Sequence, residues 1–157
     1  MMRRTRWPLA VAALGLLLAG CSTQVDGRPV PAGATSSDGD RGLVEAYYTE
    51  LNESGDEGTD TQREFLRRTQ HPDYTDRLCD LGGLTLHVEP AMSTFRPDPE
   101  WVPPDAPGSE RPRGTVYVLG VSVSIRQQGA LLGEQIGSQR VVVLDGAAYG
   151  FAPCPRG

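Results

Sequence analysis

The stretch TVYVLGVSVSIR, residues 115–126, decides the fold class, because apolar and small or polar side chains alternate along it. A period of two predicts a half-buried strand. A turn at 127–130 and a further strand at 131–144 follow it. Asp145-Gly146 is typical of a two-residue hairpin turn and predicts a last strand at 147–152. The main apolar row of the first stretch consists of Tyr117, Leu119, Val121, Val123 and Ile125.

The residues upstream have the period of helices. We expect Asp40 to cap a first helix and the polar stretch 52–60 to end it. Thr61-Gln62-Arg63-Glu64 has the capping-box pattern and predicts a second helix, which Pro72 ends. A short third helix is expected from Pro72 to Gly82-Gly83. The apolar face of the first helix consists of Leu43, Val44, Tyr47, Tyr48 and Leu51.

Leu84, Leu86 and Val88 alternate with polar residues and predict another strand over 84–89. Residues 96–114 contain six prolines, which predicts a long loop between this strand and the next. Helices followed by an antiparallel meander indicate an α+β fold. We expect N-terminal helices packed on a curved antiparallel sheet of about four strands.

Residues 1–20 have the pattern of a signal peptide, with three arginines before an apolar run at 9–19. As a helix, this run reaches about 16 Å, well short of a bilayer core of about 30 Å. Its end, Leu18-Ala19-Gly20-Cys21, resembles the lipobox of bacterial lipoproteins. The resemblance implies that Cys21 is acylated, becomes the mature N-terminus and anchors the chain to the outer face of the cell membrane. The alternative is an ordinary secreted protein with a chance cysteine.

Arg3-Arg4 invites a twin-arginine export signal, but the residues that follow fit that pattern poorly, and general secretion is expected. Residues 21–39 are rich in turn formers and predict a flexible tether after the lipidated cysteine. Residues 40–157 then form a single domain. All basic residues are arginine, and together with abundant Ala, Gly, Pro and Val this suggests a high-GC, actinobacterial genome.

Charge excludes one class of partner. Residues 21–157 carry 12 basic and 20 acidic side chains, a net charge of −8. Nucleic-acid binding needs clustered positive charge, so we expect no nucleic-acid partner. Cys79 and Cys154 remain after Cys21, and an even pair in an exported chain favours a disulfide. A reactive thiol or a metal ligand is the competing interpretation.

The element order resembles the nuclear transport factor 2-like (cystatin-like) superfamily over residues 40–154. The resemblance rests on the first helix, with Tyr47-Tyr48, and on the closing hairpin Val141–Phe151. It implies a cone-shaped pocket between helices and sheet. The alternative to this fold is another helix-plus-sheet domain. The alternative to a pocket role for Tyr47 and Tyr48 is an ordinary position in the core or at its rim. The residues with side chains suited to a pocket or partner contact are Tyr47, Tyr48, His87, Met92, Trp101 and Tyr117.

Acid–base chemistry has few candidates. His87 and Glu89 share one strand face, which we expect to point away from the helices. His71 is expected near a helix end, where it stabilises the last carbonyl groups. The acidic stretch 53–60 is interpreted as a solvated connection. Without ligand spacing or a catalytic motif, we expect neither a metal, nor a cofactor, nor a catalytic residue.

Trp101 lies in the proline-rich loop, where it either anchors a docking partner or pins the loop onto the domain. The sequence therefore predicts a non-catalytic envelope lipoprotein that binds an apolar small molecule or docks on an envelope protein. The alternative is a cyclase- or isomerase-type enzyme of the same superfamily, which requires an acid–base residue deep in the cone.

Overall fold

The computed structural model describes residues 37–78, 80–104 and 110–151. Two α-helices and a 3₁₀ helix precede four strands, which form one antiparallel sheet in the order β1-β2-β3-β4. The predicted α+β fold, with helices followed by about four antiparallel strands, is confirmed. The elements are α1 (Ser37–Glu57), α2 (Thr59–Arg68), the 3₁₀ helix Pro72–Arg77, β1 (Leu84–Pro97), β2 (Thr115–Gln127), β3 (Ala130–Leu144) and β4 (Ala147–Gly150).

The signal peptide, most of the tether and all three cysteines, Cys21, Cys79 and Cys154, lie outside the described residues. In the part of the chain that the structure does describe, no helix has the length and apolar character needed to cross a membrane.

Helix α1 is longer at both ends than predicted. It begins at Ser37, so Asp40 lies inside the first turn and not at the cap. The Asp40 carboxylate instead accepts a hydrogen bond of 2.6 Å from the Tyr117 hydroxyl. The polar stretch expected to end the helix continues it to Glu57. Gly58 then separates the two helices with a φ of 132°, a backbone conformation that favours glycine.

The capping-box prediction is wrong. Helix α2 begins at Thr59, and Gly58 provides no side-chain cap. Thr61 lies inside the helix, and the carboxylate of Glu64 accepts hydrogen bonds from Arg67 one turn later. Pro72 begins the 3₁₀ helix, so the predicted third short helix is present, but it ends at Arg77 and not at Gly82-Gly83.

The strands and turns predicted from Thr115 onward are present close to their predicted bounds, except that the last strand ends at Gly150 and not at residue 152. Both tight turns have two successive residues with positive φ, as a hairpin of type I′ requires. These φ values are 50° at Gln128, 83° at Gly129, 51° at Asp145 and 79° at Gly146. Strand β1 ends at Pro97, eight residues beyond its predicted end at residue 89. It continues past Pro90 because an edge strand tolerates the missing N–H of a proline.

Both faces of the sheet contain buried residues. Twelve buried residues form the core between sheet and helices, including Tyr48, Leu119 and Val141. The alternate residues Val116, Val118 and Val142 are also buried and face the other way. The proline-rich segment supplies buried residues of its own, Pro103 and Pro112. Its backbone is tied to β2 by the Asp98 N–H, which donates to the Val116 carbonyl.

Two amide side chains cover the outer edge of β1. The Asn52 amide pairs with both the N–H and the C=O of Val88, at 2.7 and 2.9 Å. The Gln62 amide does the same for Leu86, at 2.8 and 2.7 Å, and also donates to the Leu51 carbonyl. Because Leu86 and Val88 are two residues apart, the helices substitute for the neighbouring strand that this edge lacks.

Candidate functional site

Two of the three tyrosines expected to line a pocket, Tyr48 and Tyr117, lie in the helix–sheet core. Tyr48 is 1% exposed and its hydroxyl donates to Gln139 Oε1 at 3.1 Å. Tyr117 is 2% exposed, bonds to Asp40, and stacks on Phe95 with ring centroids 4.4 Å apart. Since both hydroxyls bond to protein groups, these side chains act as core residues with satisfied polar ends.

Tyr47 is half-buried and its hydroxyl packs directly against Gly150 of β4. Burial raises the pKa of Tyr47 to about 12, although a hydrogen bond with Thr69 opposes the shift. Burial, and then the neighbouring Tyr47, raise the pKa of Tyr48 as well. Both phenols therefore stay protonated at neutral pH and do not supply a general base.

His87 and Glu89 face away from the helices, as predicted, since Leu86 and Val88 on either side of His87 are buried in the core. The register places His87 beside Ser124 of β2. Glu89 is exposed, whereas His87 is half-buried. Within the described residues, the buried Nδ1 of His87 has no hydrogen-bond partner. The histidine thus lies on the open side of the sheet and not deep between helices and strands.

Trp101 lies in a cluster of rings on the outer face of the sheet. It is half-buried and meets Phe151 edge-on, with ring centroids 4.7 Å apart. The Arg140 guanidinium lies 5.6 Å from the Trp101 ring centre, and its Nε is 3.2 Å from Asp98 Oδ2. The interpretation in which Trp101 pins the loop therefore has direct contacts to support it. We call Trp101, Phe151, His71, Tyr74 and Tyr149 the aromatic cluster.

His71 is the centre of the aromatic cluster and is fully buried. Its ring stacks on Phe151 at 5.6 Å. The Asp73 backbone N–H donates to Nδ1 at 3.2 Å, and Nε2 lies 2.9 Å from the Arg113 carbonyl oxygen. Because a carbonyl only accepts, Nε2 must carry the proton and Nδ1 must be bare. These partners therefore select the Nε2–H tautomer.

The Arg113 side chain holds the Asp73 carboxylate with its Nε and Nη2 atoms, at 3.1 and 2.7 Å. This pairing holds the pKa of Asp73 below its usual range. The expectation that His71 stabilises carbonyl groups at a helix end is wrong, since its two ring nitrogens bond to Asp73 and Arg113. Sequence reasoning missed the aromatic cluster, because its members lie up to 80 positions apart in the sequence.

Grooves of about 520 Å³ lie on the helical side and at the β2–β3 hairpin end. The groove between α1 and α2 has five carboxylate side chains, from Glu50, Glu53, Glu57, Asp60 and Glu64. The interpretation of 53–60 as a solvated connection is corrected, since most of it is helical. No group of carboxylates, histidines or cysteines among the described residues is arranged to hold a metal ion.

A smaller notch of about 500 Å³ has a leucine floor, from Leu66, Leu78 and Leu81, between Arg63 and Arg67. Both arginines are engaged, Arg63 with Asp60 at 2.7 Å and Arg67 with Glu64. Their charge is thus largely balanced by neighbours on the same helix.

The fold and these contacts define an α+β protein with a tyrosine-rich helix–sheet core and a buried histidine beneath a proline-rich loop. The chain matches no family model, no curated protein and no solved structure.

Proposed function

We propose that the chain is an exported lipoprotein, held on the outer face of the cell membrane by a lipid on Cys21. The support is the sequence Leu18-Ala19-Gly20-Cys21, which directly follows an apolar run too short to span a bilayer. Two or three acyl chains hold a protein stably on a membrane. A domain that begins at about residue 40 is then carried on a tether of about 20 residues.

Within this proposal, the domain acts as a non-catalytic accessory module that docks on another envelope protein. The observation that carries the docking role is the position of Trp101. Its ring is half-exposed, is supported from beneath by Phe151 and is flanked by Arg140. Tryptophan and arginine on a rigid support are the side chains that most often dominate protein–protein contacts. The internal bonding of Tyr48 and Tyr117 favours docking over an apolar ligand between helices and sheet.

The nuclear transport factor 2-like resemblance is part of this proposal. It is supported by the order of elements, in which helices precede an antiparallel meander and pack on one face of it. That superfamily contains enzymes and binding proteins alike, so the function is argued from Trp101 and Cys21 and not from the fold.

We further propose that a Cys79–Cys154 disulfide locks the end of the chain to the domain. The described segments before each cysteine are in contact. The Tyr74 and Phe151 rings lie 5.5 Å apart, and the Gly150 N–H donates to the Thr69 carbonyl. A bridge that closes about 75 residues stabilises a domain by roughly 4 kcal/mol in the chain-entropy description.

The anchor is tested by Cys21→Ser in the native host. We expect the wild-type chain in the membrane fraction with the mass of a diacylated or triacylated cysteine, and the variant without lipid and released from the membrane. Cys79→Ser is the matched control, which removes a thiol but leaves the lipid. A wild-type chain that is cleaved elsewhere, or that carries no acyl group, contradicts the anchor.

Docking is tested by chemical cross-linking in intact membranes, followed by identification of the products. Trp101→Ala should abolish one specific cross-linked species and Trp101→Phe should retain part of it. Ala46→Ser, at an exposed residue of α1 that lies away from Trp101, is the control. If the Trp101→Ala variant gives the same products as the wild type, the docking role of Trp101 is wrong, whatever the outcome for the lipid.

A further inference from the structure

One edge of the sheet has no neighbouring strand over most of its length among the residues that the structure describes. Strand β3 has 15 residues, and β2 pairs with it along nearly the whole strand. On its other side β4 pairs only with Val141–Leu144. No described segment pairs with the remaining part of that side, from Ala130 to Arg140. We call residues 130–140 of β3 the open edge.

The hydrogen-bonding direction of each residue on the open edge follows from two independent contacts. The N–H and C=O of Gly150 bond to Thr69 and His71, away from β3, so its partner Val141 must direct its own groups toward β2. On β1, the N–H and C=O groups of Leu86 and Val88 point away from β2, toward Gln62 and Asn52. Followed across the register of β1, β2 and β3, this gives the same result, in which Gln135 and the other odd-numbered residues of β3 bond to β2. From Gly133 to Gln139, the even-numbered residues of β3 therefore present N–H and C=O groups at the open edge, whereas the register shift between Gly133 and Leu131 changes this alternation nearer the hairpin.

Glu134, Ile136 and Ser138 are these residues, and all three are exposed. Ile136 is 91% exposed, more than any other large apolar side chain among the described residues. Leu131 and Leu132 on the same strand are 57% and 58% exposed. Proteins usually protect such an edge with proline, lysine or a covering segment. Between residues 130 and 139 the only charged residue is Glu134, and there is no proline.

We propose that the open edge binds a second copy of this chain, antiparallel, with the two-fold axis at Ile136. Strands related by such an axis pair residue i with residue 272 − i of the other copy, so each even-numbered residue meets an even-numbered one. Ile136 then lies opposite its own counterpart. Glu134 lies opposite the second copy's Ser138, and the three hydrogen-bonded pairs add six backbone hydrogen bonds.

The side chains on both faces are complementary in this register. On the outer face the two Ile136 side chains cover each other, and Glu134 has the second copy's Arg140 as its diagonal neighbour. On the helix face Gln135 lies opposite the second copy's Gly137, and Gly133 opposite its Gln139. A Cβ placed on Gly137 would meet nothing within 4 Å, so there is room for Gln135 beside it, while Gln139 keeps its bond to Tyr48 of its own chain.

The two copies pair only over residues 134–138, and this short length sets the expected strength of the dimer. Five residues from each copy bury far less than the roughly 800 Å² per partner of a standard interface. We therefore expect a reversible dimer with a Kd on the order of micromolar or weaker. Confinement to a membrane surface would raise the effective concentration and favour the same contact.

Cross-linking tests the position of the axis. The Cα atoms of a hydrogen-bonded antiparallel pair are about 5.5 Å apart, within the range of about 4.4–6.8 Å that a disulfide spans. Ile136→Cys in the purified full chain in mild detergent should give a disulfide-linked dimer on oxidation. Leu132→Cys is the matched control, because this residue lies far from its own counterpart in the proposed register. Equal cross-linking of the two variants, or none with Ile136→Cys, overturns the proposal.

Charge at Ser138 tests the register independently, by sedimentation of the same protein at several concentrations. Ser138→Arg places a cation opposite the second copy's Glu134 and should strengthen the dimer about threefold or more, whereas Ser138→Glu should weaken it by a similar factor. Glu134→Arg added to Ser138→Glu should restore it. Thermal unfolding of each variant should match the wild type, because Ser138 is exposed. Identical association of Ser138→Arg and Ser138→Glu overturns the register.

Discussion

The two edges of the sheet are treated in opposite ways. At the β1 edge, Asn52 and Gln62 from the helices satisfy the N–H and C=O of Val88 and Leu86. At the open edge of β3 no described group meets the corresponding atoms. The first edge lies under α1 and α2, where an unpaired peptide group would be buried and costly, while the second is in contact with water. The difference indicates that the β1 edge is closed for stability and the β3 edge is available for association.

The largest loss of stability is expected from a proline within the open edge. Proline substitutions there also test which residues of β3 bond to β2 and which face outward. Gln135→Pro removes an N–H that bonds to β2 and should lower the free energy of unfolding by about 2–4 kcal/mol. Ile136→Pro removes an N–H that faces solvent and should cost much less. Proline restricts φ in both variants. The difference between their urea midpoints therefore reports the contribution of the hydrogen bond from the Gln135 N–H to β2. Equal losses would show that the assigned directions are wrong.

Gln62 should give the next largest loss. The side chain is fully buried and makes three hydrogen bonds. Gln62→Leu keeps the volume but leaves both peptide groups of Leu86 unsatisfied, which should cost about 2–3 kcal/mol in urea unfolding. Thr61→Leu, on the exposed neighbouring residue, is the control and should change stability by less than about 0.5 kcal/mol. If Gln62→Leu were as stable as this control, the edge of β1 would not need the hydrogen bonds that the Gln62 side chain provides.

Asn52 covers the same edge from α1 but is only partly buried. Asn52→Leu should cost about 1–2 kcal/mol, less than Gln62→Leu, since water can reach part of the site. Hydrogen exchange should locate the loss, with faster exchange of the Val88 amide and little change at Val123 of β2. Uniformly faster exchange throughout the sheet would instead indicate a global effect.

The strands and hairpins could be predicted from the sequence because their signals are local. Alternation over 115–126 and the Asp145-Gly146 dipeptide each act within a few residues. The helix ends could not. Asn52 lies in a polar stretch that is typical of a helix end, and Gln62 lies in a sequence that resembles a capping box, until their partners on β1, up to 36 positions away, are known. Asp40 was assigned to a cap for the same reason, although its partner Tyr117 lies 77 positions away. The surroundings of His71 also depend on distant residues, namely Arg113 and Phe151, beside the nearby Asp73 and Tyr74.

The smallest effect on stability should come from Ile136, and it separates the two edges most clearly. Ile136→Thr should change the free energy of unfolding by less than about 0.5 kcal/mol, because the side chain is 91% exposed. The same kind of change at the covered edge, Val88→Thr, buries a hydroxyl at a residue that is 1% exposed and should cost about 1–2 kcal/mol. Association should show the reverse order, with sedimentation detecting a weaker dimer for Ile136→Thr and an unchanged one for Val88→Thr. If Ile136→Thr destabilised the monomer as much as Val88→Thr does, Ile136 would belong to the fold and not to an interface.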